Sequence, residues 1–278
     1  MRVLVTGACG YFGSVLCPEL EKGGHEVTRF DLALGDDITR AGEVQKAAGG
    51  ADLVVHLAAV VGLAAVSRDV NEALRVNVKG TENVCSCGAR TVFGGILGGY
   101  PQGIHVDEET PVAPETPYYR QKLEAERLVL QARGDNISLR FGTMYGVSPA
   151  MRWFLLVHDF VRRALEEGHI SIFQPQAMRP ITNVRDAARA VLFFAERLEG
   201  GVYNVVSANL SKDQIVKRVQ RATRCRIVYT QGSDPEGRDN VVSSKKLEGL
   251  GFEFQPDLEK TIEAIIRAHK EGEKRGKT

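Results

Sequence analysis

Two sets of residues in this chain of 278 have the types and spacing to do chemistry. The first is Tyr118 and Lys122, in the run Tyr118-Tyr119-Arg120-Gln121-Lys122. On a helix these two lie one turn apart on one face. A tyrosine of ordinary pKa, about 10, is a poor base at neutral pH. A neighbouring ammonium favours the phenolate, which could take a proton from a hydroxyl while hydride leaves the same carbon. The spacing alone is common and describes many exposed pairs. The second set is Gly7, Gly10 and Gly13, with Asp31 further on. A β-branched run precedes the glycines and a helical pattern follows them through Glu21. Glycines there let the backbone turn tightly and approach a diphosphate, and the following helix N-terminus offers N–H groups to the anion. Asp31 closes the next apolar run, where an acid meets the adenosine ribose hydroxyls of NAD. Strand, glycine turn, helix and acid together predict a dinucleotide site.

Regular alternation surrounds these residues. Strands are predicted at 3–5, 26–30, 53–57, 91–93 and 137–141, with helices at 11–22, 41–48, 71–87 and 118–132. That succession predicts an α/β fold, a Rossmann-like doubly wound parallel sheet. The continuous apolar run from Leu53 to Ala59 suits a central strand buried on both faces. Beyond residue 142 the alternation loosens, with helices predicted at 154–166, 185–197, 212–222 and 258–269 and short strands at 170–173, 203–206 and 227–229. We read residues 1–142 as the dinucleotide-binding domain and 143–278 as a smaller C-terminal α/β substrate lobe, some of whose segments return to the main sheet. The cleft between them is the expected ligand site.

Composition narrows the class. The net charge of +1 argues against nucleic acid or an anionic membrane as main partner. Thr91 to Val106, the longest run without Asp, Glu, Lys or Arg, falls short of the about 18 apolar residues of a membrane span. The chain opens directly in a strand, so the expected location is cytoplasmic, with its five cysteines reduced. Cys85-Ser86-Cys87 lacks the spacer of a metal or redox pair, and the six histidines show no metal-ligand spacing. No metal is expected.

With these motifs in place, the chain resembles the extended short-chain dehydrogenase/reductases, in particular the NAD-dependent nucleotide-sugar epimerases and dehydratases. The marks are Thr6-Gly7-Ala8-Cys9-Gly10-Tyr11-Phe12-Gly13, Asp37-Ile38, His56-Leu57-Ala58-Ala59, Asn77-Val78-Lys79-Gly80-Thr81 and Tyr118-x-x-x-Lys122. The resemblance implies that Gly7, Gly10, Tyr11, Phe12, Gly13, Asp31, Asp37, Ile38, Leu57, Ala58, Ala59, Tyr118 and Lys122 bind NAD, and that Tyr118 and Lys122 are the catalytic pair. In the second half it extends to Leu139–Gly146 and to Arg179-Pro180-Ile181-Thr182-Asn183-Val184-Arg185-Asp186, where Asn183 replaces the usual His. It places Thr143, His158, Arg179 and Arg238 at a nucleotide-sugar substrate, the two arginines on its diphosphate. It also implies a homodimer, with Leu74, Val78, Leu123, Leu128 and Leu130 available for the seam.

One part of the pattern is missing. Relatives carry a Ser or Thr near the end of the strand before the tyrosine helix, and its hydroxyl shares the substrate proton. Aligned on Tyr100, that position is Ile96, and no Ser or Thr occurs from Val92 through Glu109. The expected activity is epimerisation through a transient ketone. A net NAD-dependent oxidoreductase and a weakened NAD-binding sensor are the alternatives.

Overall fold

The computed structural model describes residues 1–233 and 239–275. Its centre is a parallel sheet of six strands: β1 (Arg2–Thr6), β2 (Glu26–Phe30), β3 (Leu53–His56), β4 (Arg90–Ile96), β5 (Ile137–Phe141) and β6 (Gly201–Val205). They lie in the order β6-β5-β4-β3-β1-β2. The chain starts in the interior at β1, runs out to β2, then crosses back to β3 on the other side. The order therefore reverses between β1 and β3, and in open α/β sheets ligands bind at the carboxyl ends of the strands beside such a reversal. Register aligns those ends, with Thr6 opposite both Phe30 and His56, and Ile96 opposite Phe141.

Side chains along β1 alternate between two buried layers. Val3 and Val5 join Leu53 and Val55 under α1 (Gly13–Lys22) and the helix Val184–Ala195, while Leu4 joins Val54, Phe30 and Val44 on the opposite face. Burial on both faces explains why the strand sequences read as unbroken apolar runs. Two segments from beyond residue 142 complete this layer. β6 pairs with β5, and Val184–Ala195 packs Ala187, Val191 and Phe194 into the core of the main sheet.

The remaining C-terminal segments form a second core. A three-stranded sheet sets Met178–Asn183 between Thr143–Tyr145, parallel to it, and Ala208–Ser211, antiparallel. Helices Leu156–Glu166, Lys212–Thr223 and Leu258–Arg275 bury Val157, Val161, Ile215, Val219, Ile262 and Ile265 against it. Strands 143–145, 178–183 and 208–211 and the short helix Leu63–Arg68 were not among the predicted elements. The helix expected at 71–87 is a composite, Val70–Leu74 and Gly80–Cys85 joined by a π-turn at Arg75–Lys79. All five cysteines are free thiols.

Candidate active site

The carboxyl ends of β1 to β5 open into one cleft of about 1530 Å³, closed on its far side by the second core. Gly7, Gly10 and Gly13 shape one end. Gly7 adopts φ +73°, and a Cβ there would lie 2.8 Å from the Ala58 backbone nitrogen. A Cβ on Gly13 would meet the Gly7 carbonyl oxygen and come within 2.7 Å of Ala8 Cα. The loop is thus laid flat on Leu57-Ala58. No side chain caps the N-terminus of α1 and its first turn carries no acid, so the end of the helix dipole is left to a ligand. Tyr11 and Phe12 line the cleft, with the Tyr11 hydroxyl donating to the Gly146 carbonyl at 2.9 Å.

Asp31 stands at the end of β2 as predicted. Its two carboxylate oxygens accept from the backbone N–H groups of Cys9 and Ala33, both at 2.9 Å, which ties it to the glycine loop. Asp36, Asp37 and Ile38 continue this wall. The N–H and hydroxyl of Thr39 both donate to Asp37 and hold its carboxyl below the usual range. Ile38 is buried against Gly80. A glycine cradle without Cβ atoms, an open helix N-terminus and a fixed carboxylate together fit a dinucleotide. Sequence reasoning passed over Asp36, which the turn Leu32–Leu34 folds back beside Asp31.

His56, Leu57, Ala58 and Ala59 follow at the end of β3. Leu57, Ala58 and Ala59 line the cleft, whereas His56 is buried beneath, between the hydroxyls of Thr6 at 2.7 Å and Thr81 at 2.9 Å. Burial pushes its pKa down to about 3, so the ring is neutral and acts as a strut.

Tyr118 and Lys122 lie on the helix Pro117–Gln131, which Thr116 caps by accepting from the Tyr119 N–H. Both line the cleft. Lys122 is 5% exposed, its ammonium 4.0 Å from the centre of the Phe93 ring. Desolvation lowers its pKa to about 7, and the nearby Glu126 carboxylate limits the fall. An ammonium whose pKa is depressed by folding, here from 10.5, destabilises the fold at and below pH 7, and this cost fades as pH rises toward the unfolded value. Lys122→Met should therefore raise the thermal unfolding midpoint at pH 7, and the gain should shrink toward pH 10. Glu126 keeps its buried partner Arg140 in that variant. An equal gain at both pH values would show that charge burial is not the cause.

Ile96 ends β4, lines the cleft and packs with Tyr118, Tyr119, Leu63 and Val60. Of the residues expected at a substrate, Thr143 and Arg179 line the cleft. Arg179 is 1% exposed and donates to the Met178 carbonyl at 2.9 Å. Arg238 falls outside the described residues. His158 is a correction: it is fully buried and does not face the cleft. The Gly146 N–H donates to its Nε2 at 3.1 Å, and its Nδ1 lies 2.9 Å from the Arg152 carbonyl. Both ring nitrogens are committed to backbone, so His158 clamps the loop between residues 146 and 155 at two points. The residue it holds, Arg152, lines the cleft and was missed; in sequence it is one more arginine outside any motif.

Fold and site together define an α/β dinucleotide-binding protein with a tyrosine–lysine pair in the ligand cleft. More narrowly, the chain belongs to the NAD dependent epimerase/dehydratase family, whose profile matches residues 3–206. It is similar along its length to MoeE5, solved in complex with UDP-glucose and NAD, at 26% identity, TM-score 0.85, and coverage of 98% of this chain and 99% of that one. A 3-beta-hydroxysteroid dehydrogenase of Mycolicibacterium neoaurum is 30% identical over 62% of this chain and 54% of that protein, so the match spans about half the relative's length. A dTDP-4-dehydrorhamnose reductase of Mycolicibacterium smegmatis is 28% identical over 84% of this chain and 71% of that protein. No helix among the described residues is long and apolar enough to cross a membrane.

Proposed function

We propose that this protein is an NAD-dependent, epimerase-type enzyme acting on a nucleotide-activated sugar. The reading rests on one observation above all: the glycine loop, Tyr118, Lys122 and Arg179 open into a single cleft of about 1530 Å³. Pockets for one drug-sized ligand measure about 300–1,000 Å³, so this one has room for a dinucleotide and a second nucleotide end to end. Residues 1–142 would carry the cofactor side and 143–278 most of the substrate side. NAD, when bound, accepts a hydride from the sugar carbon and returns it. Tyr118 takes the proton of the hydroxyl on that carbon and gives it back, and the Lys122 ammonium favours its phenolate. Arg179, and Arg238 from the segment after Tyr229, hold the diphosphate through guanidinium forks. Thr143 faces the sugar.

Mass spectrometry of the small molecules released on denaturation should find NAD, and UDP-glucose, UDP-galactose or UDP-glucuronic acid should be converted without net absorbance change at the nicotinamide band. Tight NAD retention with no conversion would instead favour the sensor. A second reading, net oxidation of an apolar alcohol, is favoured by the wall of Val60, Leu63 and Ile96 beside Tyr118. It requires stoichiometric NADH formation.

Selectivity should favour NAD over NADP. A 2′-phosphate would meet Asp31, Asp36 and Asp37 together, and the adjacent Arg29 is held by Glu21 at 2.7 Å. Calorimetry on both cofactors checks this, and tighter NADP binding would overturn the assignment of Asp31. We also propose a homodimer through the helices 70–85 and 117–131. Leu74 is 47% exposed and Leu123, Leu128 and Leu130 are half-buried, while Val78 turns inward and leaves the proposed seam. Light scattering at micromolar concentration should give twice the 30.4 kDa chain mass.

A further inference from the structure

Ile96 leaves the reacting oxygen of a bound sugar without the hydroxyl that would hold it. Thr116, Thr143 and Arg152 are among the donors that line the cleft. Thr116 already serves the tyrosine helix, its oxygen capping the first turn at 3.2 Å from the Tyr119 nitrogen. Thr143 sits in the three-stranded sheet, opposite Ile181. Arg152 is different. Its carbonyl is pinned from two sides, by the His158 ring at 2.9 Å and the Leu155 N–H at 3.1 Å, so its backbone is fixed. Its guanidinium lies 4.7 Å from the Phe154 ring centre. No carboxylate among the described residues pairs with it. Asp159, the nearest acid along the chain that lines the cleft, is taken by Arg162 at 2.7 Å and Arg163 at 2.5 Å.

Arg152 is thus a half-buried cation in a cleft, with no counter-charge among the described residues, and such a group calls for an anion. Burial works against its charge, Tyr118 and Tyr11 offset part of that cost, and both line the same cleft. We propose that Arg152 donates the hydrogen bond to the reacting sugar oxygen that Ile96 cannot. This rests on the function proposed above. In the step, the C–H bond breaks and its electron pair leaves as hydride to NAD. The O–H proton passes to the Tyr118 phenolate, and the C–O bond becomes a carbonyl. Arg152 keeps all its protons. It stabilises the negative charge that the oxygen carries only while proton and hydride are in transit, and a guanidinium in a partly water-excluded site does this well. The same charge favours the Tyr118 phenolate at pH values where Lys122 is only partly protonated.

Because that charge exists only in the transition state, losing the donor should act on kcat and spare binding. Arg152→Met should lower kcat on UDP-glucose or its best-used analogue by about 10²–10³-fold. The dissociation constant of the same sugar nucleotide, read from the emission of Trp153, should change less than about threefold. Trp153 is the chain's single tryptophan and adjoins Arg152. Its emission in the free protein and the melting curve report whether the variant is folded. The decisive variant is the double one: Ile96→Ser should raise the rate of Arg152→Met at least tenfold more than it raises that of the parent, because the new hydroxyl then does the missing work. Turnover surviving Arg152→Met, equal gains from Ile96→Ser in both backgrounds, or a comparable kcat loss in Thr116→Val or Thr143→Val but not in Arg152→Met would overturn the donor and leave the proposed function standing. A parent that retains NAD but converts none of the sugars would overturn the function, and the donor with it.

Discussion

Tyr118→Phe is expected to abolish sugar turnover while leaving NAD binding nearly intact. The substitution removes one oxygen from a side chain that is 8% exposed and packed with Val66, Ala73 and Tyr119, so the hydrophobic contacts of the ring persist. Positioned acid–base groups contribute about 10²–10⁴-fold, and the loss should fall in or above that range because the neighbouring tyrosine cannot take over. Tyr119, the neighbour in sequence, leans against Gly98, where even a Cβ would overlap its ring. Its ring is therefore fixed on the helix flank, and the fourth residue after it is Leu123. Glycine-loop contacts, Asp31 and the α1 N-terminus lie at the other end of the cleft, so calorimetric NAD affinity should stay within about threefold of the parent. Conversion that continues at the parent rate in Tyr118→Phe would remove Tyr118 from the chemistry. Loss of both turnover and NAD binding would make it a structural residue.

The parts of the site legible in sequence are those in which local backbone needs dictate residue type. Gly7 needs positive φ and no Cβ, Gly13 needs close approach, and Asp31 follows at the end of the adjacent strand. These needs are met within one β-α-β unit, so spacing alone exposes them. The central strands were legible because burial on both faces leaves them unbroken by polar residues. The second core was less so. Met178–Asn183 carries Arg179, Pro180 and Asn183 at strand positions, and its partners are a strand of three residues and an antiparallel return, none with a periodic pattern. The same nonlocality hid Arg152 and misplaced His158. His158 lies on an amphipathic helix, but its partners are the Gly146 N–H and the Arg152 carbonyl, on the loop before that helix. Which of two neighbouring polar residues turns into a cleft is decided by such contacts, and spacing does not encode them.

The glycine loop offers the sharpest test of the cofactor site. Gly13→Ala should weaken NAD binding by about 10–100-fold and destabilise the fold by about 1–3 kcal/mol, the usual cost of overpacking a close contact. The new methyl would press on the Gly7 carbonyl oxygen and come within 2.7 Å of Ala8 Cα. Both are backbone atoms, so no side-chain rotation relieves the contact and the loop must lift. Lifting it moves Gly7 off Leu57-Ala58 and stretches the 2.9 Å bond from the Gly7 N–H to the Phe30 carbonyl, which is next to Asp31. The diphosphate cradle and the ribose carboxylate are therefore displaced together, and the affinity loss should exceed what one lost hydrogen bond explains. Gly42→Ala is the matched control. Gly42 lies inside the helix Ala41–Ala48, and a Cβ there meets nothing within 4 Å. That change should add stability, about 0.5–1 kcal/mol from helix propensity, and leave NAD affinity unchanged. Equal NAD affinity in Gly13→Ala and in the parent, measured by calorimetry on folded protein, would mean that the cofactor lies elsewhere in the cleft, because the lifted loop could no longer reach its diphosphate.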